Sequence, residues 1–263
     1  EKGLQLYSKG VFIMDKNKEL VPDYFRFVKG LVDSSDLSLN LSREMLQHDR
    51  LLKKIAQNIE QKIKSELEKM QKNDRETYNE FYKTYGINLK YGIYEGFGIN
   101  KEKLQDLIMF KTTKSDEYVT LKEYTENMPK DQKVIYYASG KTKESILALP
   151  QMDLLKNKEY EVLLFTDDID EFMINILSKY DEKDFKSINQ GDLDLLDKKE
   201  NKELDRLNEE NKSLLDTLKE GLEGKVSEVK LSKRLTDSPV CLVSGEGLSM
   251  EMEKVLKNMP NAQ

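Results

Sequence analysis

The sequence has few of the residues on which most active sites depend. Its 263 residues include one cysteine, one histidine and no tryptophan. A single cysteine excludes a disulfide within the chain, and Cys241 and His48 together are too few ligands for a zinc cluster. A histidine-based triad would need His48, which lies near a predicted helix start and is expected at the surface. Cys241 lies in the apolar stretch 239–243, where we expect a buried, unreactive thiol.

Long apolar runs and an excess of positive charge are also missing. No stretch reaches the roughly 20 apolar residues that cross a bilayer, and the start of the sequence has no signal-peptide pattern. The 49 acidic and 43 basic side chains give a net charge of −6, so no basic field can hold a phosphate backbone. We therefore expect a cytoplasmic protein without membrane or nucleic-acid partners. Because it starts without methionine, we expect a fragment.

The residues that are present predict an α/β protein of two or three compact units. Residues 4–7 and 11–14 are rich in strand formers, and a short amphipathic helix should follow over 22–28. A second short helix, with an aromatic face, should end at Gly86. The surest element is a long helix between these two, whose apolar residues recur at helical spacing: Leu52, Ile55, Ile59, Ile63, Leu67 and Met70.

Local signals then alternate between loop and helix. The Gly-Phe-Gly run at 96–98 lacks the third glycine of a dinucleotide site, so we assign it no function. Helix signals cover 101–110. Thr120 and Glu123 form a capping-box pattern, which predicts a helix over 121–128.

A βαβ unit follows in the sequence. Residues 133–138 and 161–166 predict buried strands, and 142–149 predict the helix between them, so the two strands should be parallel. Three carboxylates follow the second strand, where ligands bind in open parallel sheets and where Mg²⁺ could be held: Asp167, Asp168 and Asp170. No partner lysine or phosphate-binding glycine loop is evident, and helix capping is the simpler interpretation.

Two patterns in the last third concern assembly. Residues 226–235 and 240–244 predict strands, whereas residues 192–224 are charged, with leucines near heptad positions: Leu204, Leu207, Asn211, Leu214 and Leu218. Few heptads are present, so a solvated helix is favoured over a coiled coil. The last helix has an apolar face that is either an adaptable binding surface or buried in a further domain: Leu248, Met252, Val255, Leu256 and Met259.

One arginine is placed unusually. Arg43 follows Ser42, which can cap a helix, so its positive charge lies at the positive end of the helix dipole. That placement is explained if Arg43 and free helix amides face an anion such as a phosphate, with Gln47 as a neutral donor on the same face. The alternative is a surface ion pair with Glu44, which spacing alone favours.

Several segments together resemble the middle domain of the 90-kilodalton heat-shock chaperones, most closely the bacterial HtpG branch. They are residues 4–7 (LQLY), 11–13 (VFI), 27–34 (FVKGLVDS), 39–47 (LNLSREMLQ), 135–137 (IYY) and 169–171 (IDE). The match runs in order through essentially the whole chain, and the segment around Arg43 is the most specific. Residues 229–237 and 239–242 resemble the start of that family's carboxyl-terminal domain.

The resemblance implies the middle segment of an ATP-driven, dimeric chaperone that is no enzyme on its own. ATP and Mg²⁺ would be bound by an amino-terminal domain, with no cofactor in this segment. Arg43 would reach the γ-phosphate when the domains dock, and Gln47 would lie beside it. Phe12 and Asn40 would support the catalytic loop.

The resemblance also implies contacts with client proteins, at Phe172 and along the last helix: Leu248, Met252, Val255 and Leu256. Many bacterial relatives carry tryptophan where this chain has Phe172, so apolar contact is retained without an indole hydrogen bond. Helices beyond the end of this chain would form the homodimer. The remaining alternatives from the residues alone are a Mg²⁺-binding phosphoryl-accepting βαβ module and a coiled-coil assembly fragment.

The domain organisation implied by the resemblance is two αβα sandwiches joined by a helical linker, then the beginning of an α+β domain. Residues 1–72 would belong to the larger sandwich, without its first strands, and would contain the catalytic loop and the long helix. Residues 73–128 would form the helical linker and 129–224 the smaller sandwich. Residues 225–263 would begin the carboxyl-terminal domain.

Overall fold

A computed structural model describes residues 3–15, 19–37, 49–191, 193, 195, 198–232, 235, 239–245 and 247–258. The chain forms two compact units. Unit 1 comprises Glu1–Lys111, Ser115–Asn127 and Asp167–Asp181, and unit 2 comprises Thr112–Lys114, Met128–Thr166 and Glu182–Gln263. Both units combine strands with helices, which confirms the predicted α/β class.

The strands, in chain order, are β1 (Gly3–Ser8), β2 (Val11–Met14), β3 (Lys29–Asp33), β4 (Met109–Thr112), β5 (Val119–Thr120), β6 (Ile135–Ser139), β7 (Leu163–Phe165), β8 (Lys179–Tyr180) and β9 (Lys183–Ser187). The α-helices are α1 (Arg50–Asn73), α2 (Arg75–Tyr94), α3 (Lys101–Leu104), α4 (Leu121–Glu126), α5 (Lys143–Leu147), α6 (Met152–Asn157), α7 (Asp170–Leu177), α8 (Lys198–Glu210), α9 (Lys212–Gly221) and α10 (Met250–Asn258). Short 3₁₀ turns cover Asp23–Phe25 and Glu95–Gly98. Within the described ranges, no helix is long and apolar enough to cross a membrane.

The first sheet of unit 1 has the strand order β2-β1-β3. β1 runs antiparallel to β2 and parallel to β3. Alternate residues of β1 are buried, as the two-residue period of a strand requires when one face is covered. Leu4 and Leu6 of that strand pack with Leu52 of α1 in one apolar cluster. The predicted long helix is therefore confirmed, and it lies in the same core as the sheet.

The helix expected over 22–28 is only a single 3₁₀ turn, Asp23–Phe25. The prediction that the aromatic helix ends at Gly86 is also wrong, because α2 continues to Tyr94. A Cβ on Gly86 would lie 2.7 Å from the Tyr82 ring, so this glycine permits close packing inside the helix and does not end it. The hydroxyls of Tyr78 and Tyr82 donate to the carbonyl oxygens of Leu107 and Met109, at 2.6 Å and 2.9 Å. These bonds hold the first half of α2 against β4 and the residues just before it.

The helix predicted over 101–110 is shorter than expected. α3 ends at Leu104, and Met109 and Phe110 pair instead with Thr120 and Val119 of β5. The apolar residues 107–110 are all buried. Periodicity alone does not separate a short buried strand from a buried helix. The capping box is confirmed: Thr120 accepts from the Glu123 amide at 3.1 Å, and Glu123 accepts from the Thr120 amide at 2.8 Å.

Unit 2 contains the predicted βαβ arrangement. β6 pairs in parallel with β7 on one side and with β9 on the other. Tyr137 of β6 stacks on Phe165 of β7, with ring centroids 4.5 Å apart. The core of the unit combines residues of these strands, of α5 and α6, and of the stretch just before β7: Tyr136, Ala138, Ile146, Met152, Leu155, Tyr160, Val162 and Leu164.

The charged segment after β9 does not form one continuous helix. α8 and α9 are separate, and the backbone at Asn211 between them departs from helical geometry (φ −103°, ψ 15°). Leu214 and Leu218 are 57% and 50% exposed, whereas Leu215 is buried. The interruption at Asn211 removes the continuous helix that the heptad pattern would need, and the coiled-coil alternative stays without support from the described residues.

The strands predicted over 226–235 and 240–244 are wrong for the part of these stretches that the structure describes. Ser244 makes only an isolated bridge with Gln190. Val240 and Leu242 are 75% and 58% exposed, so no sheet face covers them. Cys241 is partly exposed rather than buried, while the predicted last helix is present as α10.

Candidate functional site

The segment expected to carry the catalytic loop lies outside the described residues, and with it Asn40, Arg43, Gln47 and His48. The residues on either side of that segment are well anchored in unit 1. Leu37 is buried, and its carbonyl oxygen accepts a 2.6 Å hydrogen bond from the Ser8 hydroxyl. The Asp49 carboxylate caps α1 by accepting from the Leu51 and Leu52 amides, at 2.7 Å and 2.9 Å.

Phe12 lies on β2, one of the two edge strands of the first sheet. Its ring packs edge to face on Tyr7 of β1, with centroids 5.5 Å apart, and half of the side chain remains exposed. The sheet therefore holds Phe12 in a defined position while leaving an apolar surface uncovered. The role of Phe12 in supporting the loop stays a prediction.

The acidic cluster that follows β7 has a partner that sequence reasoning did not find. Lys90 of α2 extends its ammonium to Asp170 at 2.6 Å and to Asp167 at 2.8 Å. The side chains of Lys90 and Asp170 are 5% and 1% exposed, and that of Asp167 is 41% exposed. Asp170 also accepts from the Asp167 amide at 3.0 Å, and the Phe110 ring lies 4.8 Å from the ammonium. The expectation that no lysine faces these carboxylates was wrong.

Charge and burial act against each other in this cluster. Burial alone lowers the pKa of Lys90, but the negative charges of Asp170 and Asp167 outweigh that effect and raise the pKa above its ordinary value. Burial raises the pKa of Asp170, and the charge of Asp167 adds to this rise while Lys90 opposes it. Lys90 is therefore a fixed positive charge across the neutral range.

A metal ion at these carboxylates has little support. A buried ammonium already neutralises Asp170 and contacts Asp167, whereas Asp168 is exposed. In the part of the chain that the structure describes, no group of three or more histidine, cysteine, aspartate or glutamate side chains is placed to hold a metal. The cluster is best explained as an ion-paired start of α7.

Phe172 lies in the first turn of α7, two residues after Asp170. Its ring contacts Tyr94 at the end of α2 edge to face, with centroids 6.2 Å apart. The side chain is partly exposed. The ion pairs of Lys90 with Asp167 and Asp170 therefore fix the turn on which the predicted client-contact residue lies.

The other predicted client-contact residues lie at α10 in unit 2, and they differ in exposure. Leu248, just before the helix, is 51% exposed, whereas Met252 is buried at 7%. Val255 and Leu256 are partly buried. Ser249 caps the helix, since its hydroxyl oxygen accepts from the Met252 amide at 3.0 Å.

A family model described as the Hsp90 protein matches residues 1–263, the whole of this chain. The chain belongs to the Hsp90 family. It is 56% identical over 263 residues to the chaperone protein HtpG of Clostridium perfringens, and 58% identical over 262 residues to that of Clostridium acetobutylicum. These alignments cover 100% and 99% of this chain but 42% of each relative, so the chain spans less than half their length.

A solved Hsp90-family structure supports the same assignment. The middle domain of a Plasmodium falciparum heat shock protein is 32% identical in sequence, with a TM-score of 0.63. The match covers 72% of this chain and 73% of that one. The resemblance to an Hsp90 middle domain is thus confirmed.

The sequence analysis did not identify Lys90 as the partner of Asp167 and Asp170. Lys90 lies 77 residues before Asp167, so its partners are distant from it in sequence. Lysine on a helix is ordinarily solvated, so only the packing of α2 against α7 reveals its partners. One signal was available: the flanking Leu89, Gly92 and Ile93 are small or apolar and mark this helix face as buried.

Proposed function

We propose that this chain is the middle segment of an ATP-dependent chaperone and that it supplies Arg43 to the γ-phosphate of ATP. The observation that carries the proposal is the 39–47 segment, LNLSREMLQ, in a chain that belongs to the Hsp90 family. The anchors at Leu37 and Asp49 support it, because they hold both ends of the surrounding stretch against the core of unit 1.

In this proposal ATP and Mg²⁺ are bound by an amino-terminal domain of the full-length protein. The guanidinium of Arg43 offsets the negative charge that develops on the transferred phosphoryl group, as an arginine from outside the nucleotide pocket does in other phosphate-cleaving enzymes. Gln47 adds a neutral donor beside it, and Phe12 and Asn40 support the loop. Docking of the two domains then controls hydrolysis, because the arginine acts only when it is close to the phosphate.

The Arg43→Ala variant of the full-length protein tests this role. ATP should still bind, and hydrolysis should fall by about 10³-fold or more, which is the typical contribution of such an arginine. Arg26→Ala is the matched control, since Arg26 is an exposed arginine outside the 38–48 segment. Unchanged hydrolysis by the Arg43 variant would rule the role out.

We further propose that unfolded or client proteins are contacted at Phe172 and at α10. Phe172 is partly exposed and packs edge to face on Tyr94, which suits it to apolar contact. Leu248, just before α10, is the most exposed of the four predicted contact residues there, whereas Met252 is buried. Homodimerisation through helices further along the full-length protein would place two such segments in one chaperone.

A further inference from the structure

The covered face of β1 carries a buried hydroxyl. Leu4, Leu6 and Ser8 are the buried residues of this strand, and Ser8 has no exposed surface. Leu4 and Leu6 pack in the apolar cluster that includes Leu52 of α1. A hydroxyl on the same face costs free energy unless it forms a hydrogen bond. The ladders of β1 with β2 and β3 use main-chain groups, so they do not explain a serine at this position.

The Ser8 hydroxyl reaches the start of the segment that contains Arg43. It donates a 2.6 Å hydrogen bond to the carbonyl oxygen of Leu37, 29 residues further along the chain. The Leu37 side chain is buried in the apolar cluster of β1 and α1, and Arg43 follows six residues later. Because the bond is buried, its loss would leave a carbonyl oxygen without a partner. The position of the Leu37 main chain therefore depends on a side chain of β1.

The chain between β3 and Leu37 is held mainly by main-chain contacts. Asp33 pairs with Tyr7 in the parallel ladder, and the Ser34 amide donates to the Tyr7 carbonyl oxygen at 3.1 Å. The Leu37 amide then donates to the Ser34 carbonyl oxygen at 3.4 Å. Main-chain bonds of this kind form with almost any side chain. The bond from Ser8 to Leu37, in contrast, is lost with a single substitution.

The two anchors of the Arg43 segment fix different things. Asp49 accepts from amides of its own helix, so it determines where the segment ends along the chain. The bond from Ser8 to Leu37 joins the segment to a strand that is remote in sequence, so it determines where the segment begins in space. Ser8 also lies on the hairpin of β1 and β2 that carries Phe12, the residue predicted to support the loop. One strand pair therefore holds both the start of the segment and its expected support.

We propose that Ser8 is a positioning residue for ATP hydrolysis. Its hydrogen bond to Leu37 sets the start of the 38–48 segment and thereby the reach of Arg43 towards the γ-phosphate. This inference rests on the proposed role of Arg43 and adds the residue that holds the segment in place. Ser8 acts through Leu37 and does not itself contact ATP. A misplacement of about 1 Å at a reacting group can lower a rate by about 10²-fold, so the loss of one anchor among several should lower kcat by about tenfold.

The test compares Ser8→Ala with the parent in the full-length protein. The kcat of ATP hydrolysis should fall by about tenfold, while the KM for ATP should change by less than about twofold, because another domain binds the nucleotide. Ser8→Thr keeps the hydroxyl in a residue that suits a strand, so it should retain most of kcat. Ser8→Cys is close to serine in size but is a weak donor. It should behave as Ser8→Ala does, and it takes its place if Ser8→Ala does not fold.

Tyr78→Phe is the matched control. The Tyr78 hydroxyl is also buried in unit 1 and also donates a 2.6 Å hydrogen bond to a main-chain carbonyl oxygen, that of Leu107. It lies outside the Arg43 segment. Both variants lose one buried hydroxyl bond, so urea unfolding should show similar losses of stability. Tyr78→Phe should nevertheless hydrolyse ATP at the parent rate.

Three results would overturn the inference. The first is a parent-like kcat in Ser8→Ala. The second is an equal loss of kcat in Tyr78→Phe, since lower stability would then explain the effect. The third is a Ser8→Thr variant as slow as Ser8→Ala, because the hydroxyl would then not matter. If Arg43→Ala lowers hydrolysis and Ser8→Ala does not, the proposed function stands and only this inference fails. If Arg43→Ala hydrolyses ATP at the parent rate, both fail.

Discussion

Lys90 is the residue on which the geometry around Phe172 depends. It joins α2 to the first turn of α7 through two carboxylates, in surroundings where Lys90 and Asp170 are almost completely buried. A buried charge with one partner removed is strongly destabilising, whereas the intact pair contributes little net stability. The value of Lys90 therefore lies in fixing α7 and not in adding to the stability of the chain.

The Lys90→Met variant should lower the free energy of unfolding by about 3 to 5 kcal/mol at pH 7, because it leaves the Asp170 carboxylate buried and unpaired. Urea unfolding measures the loss. Lys53→Met, at an exposed position on α1, should change the stability by no more than about 0.5 kcal/mol. A loss below 1 kcal/mol in the Lys90 variant would show that the cluster is hydrated or rearranged.

The same variant should show a defined pH dependence. The pKa of Asp170 is raised by burial, and without Lys90 it rises further. The folded state then binds a proton that the unfolded state has released, so this stabilisation is present below the unfolded carboxyl pKa of about 4 and is lost as pH rises through the folded pKa. The difference between Lys90→Met and the parent chain should therefore be smaller at pH 4 than at pH 7.

At the scale of elements, α1 is the helix that connects the catalytic segment to the core. Its N-cap, Asp49, follows directly after the segment that contains Arg43 and accepts from the amides of Leu51 and Leu52. The cap therefore has two functions in the proposal. It satisfies amides at the start of the helix, and it fixes the point at which the 38–48 segment ends.

Asp49→Ala should lower the free energy of unfolding by about 1 kcal/mol, the usual loss for a removed N-cap. In the full-length protein it should also reduce ATP hydrolysis, because the end of the Arg43 segment loses its anchor. Asp49→Ser keeps a capping oxygen and should restore most of both properties. If Asp49→Ala is destabilised but hydrolyses ATP at the parent rate, the cap has no role in positioning Arg43.

Elements with local signals could be predicted from the sequence. The capping box of Thr120 and Glu123 is complete within four residues, and the stripe of α1 from Leu52 to Met70 repeats over about five turns. Elements decided by tertiary packing could not be predicted. Gly86 resembles a helix end but lies against the Tyr82 ring, and Met109 and Phe110 form a strand because β5 pairs with them.

The candidate site, too, could be predicted only in part from the sequence. The Arg43 segment was found through its resemblance to a family, because spacing alone favoured a surface ion pair with Glu44. The Lys90 cluster was not found. Lys90 meets its carboxylates only through the packing of α2 and α7, and these carboxylates are distant from it in sequence.

At the scale of the whole molecule, our proposal treats the chain as one segment of a longer chaperone. It belongs to the Hsp90 family and spans 42% of the length of its HtpG relatives. Unit 1 contains the anchors of the Arg43 segment and the Phe172 contact, whereas unit 2 contains α10. Arg43 acts in this account only on a nucleotide that another domain binds.

The central claim is tested most directly by adding this chain to the separately purified amino-terminal domain and measuring ATP hydrolysis. The account predicts that the parent chain accelerates hydrolysis, with a rate that saturates as the concentration of the chain rises. The Arg43→Ala chain should give no acceleration, although it competes with the parent chain for docking. Equal acceleration by the two chains would contradict the claim that Arg43 reaches the γ-phosphate.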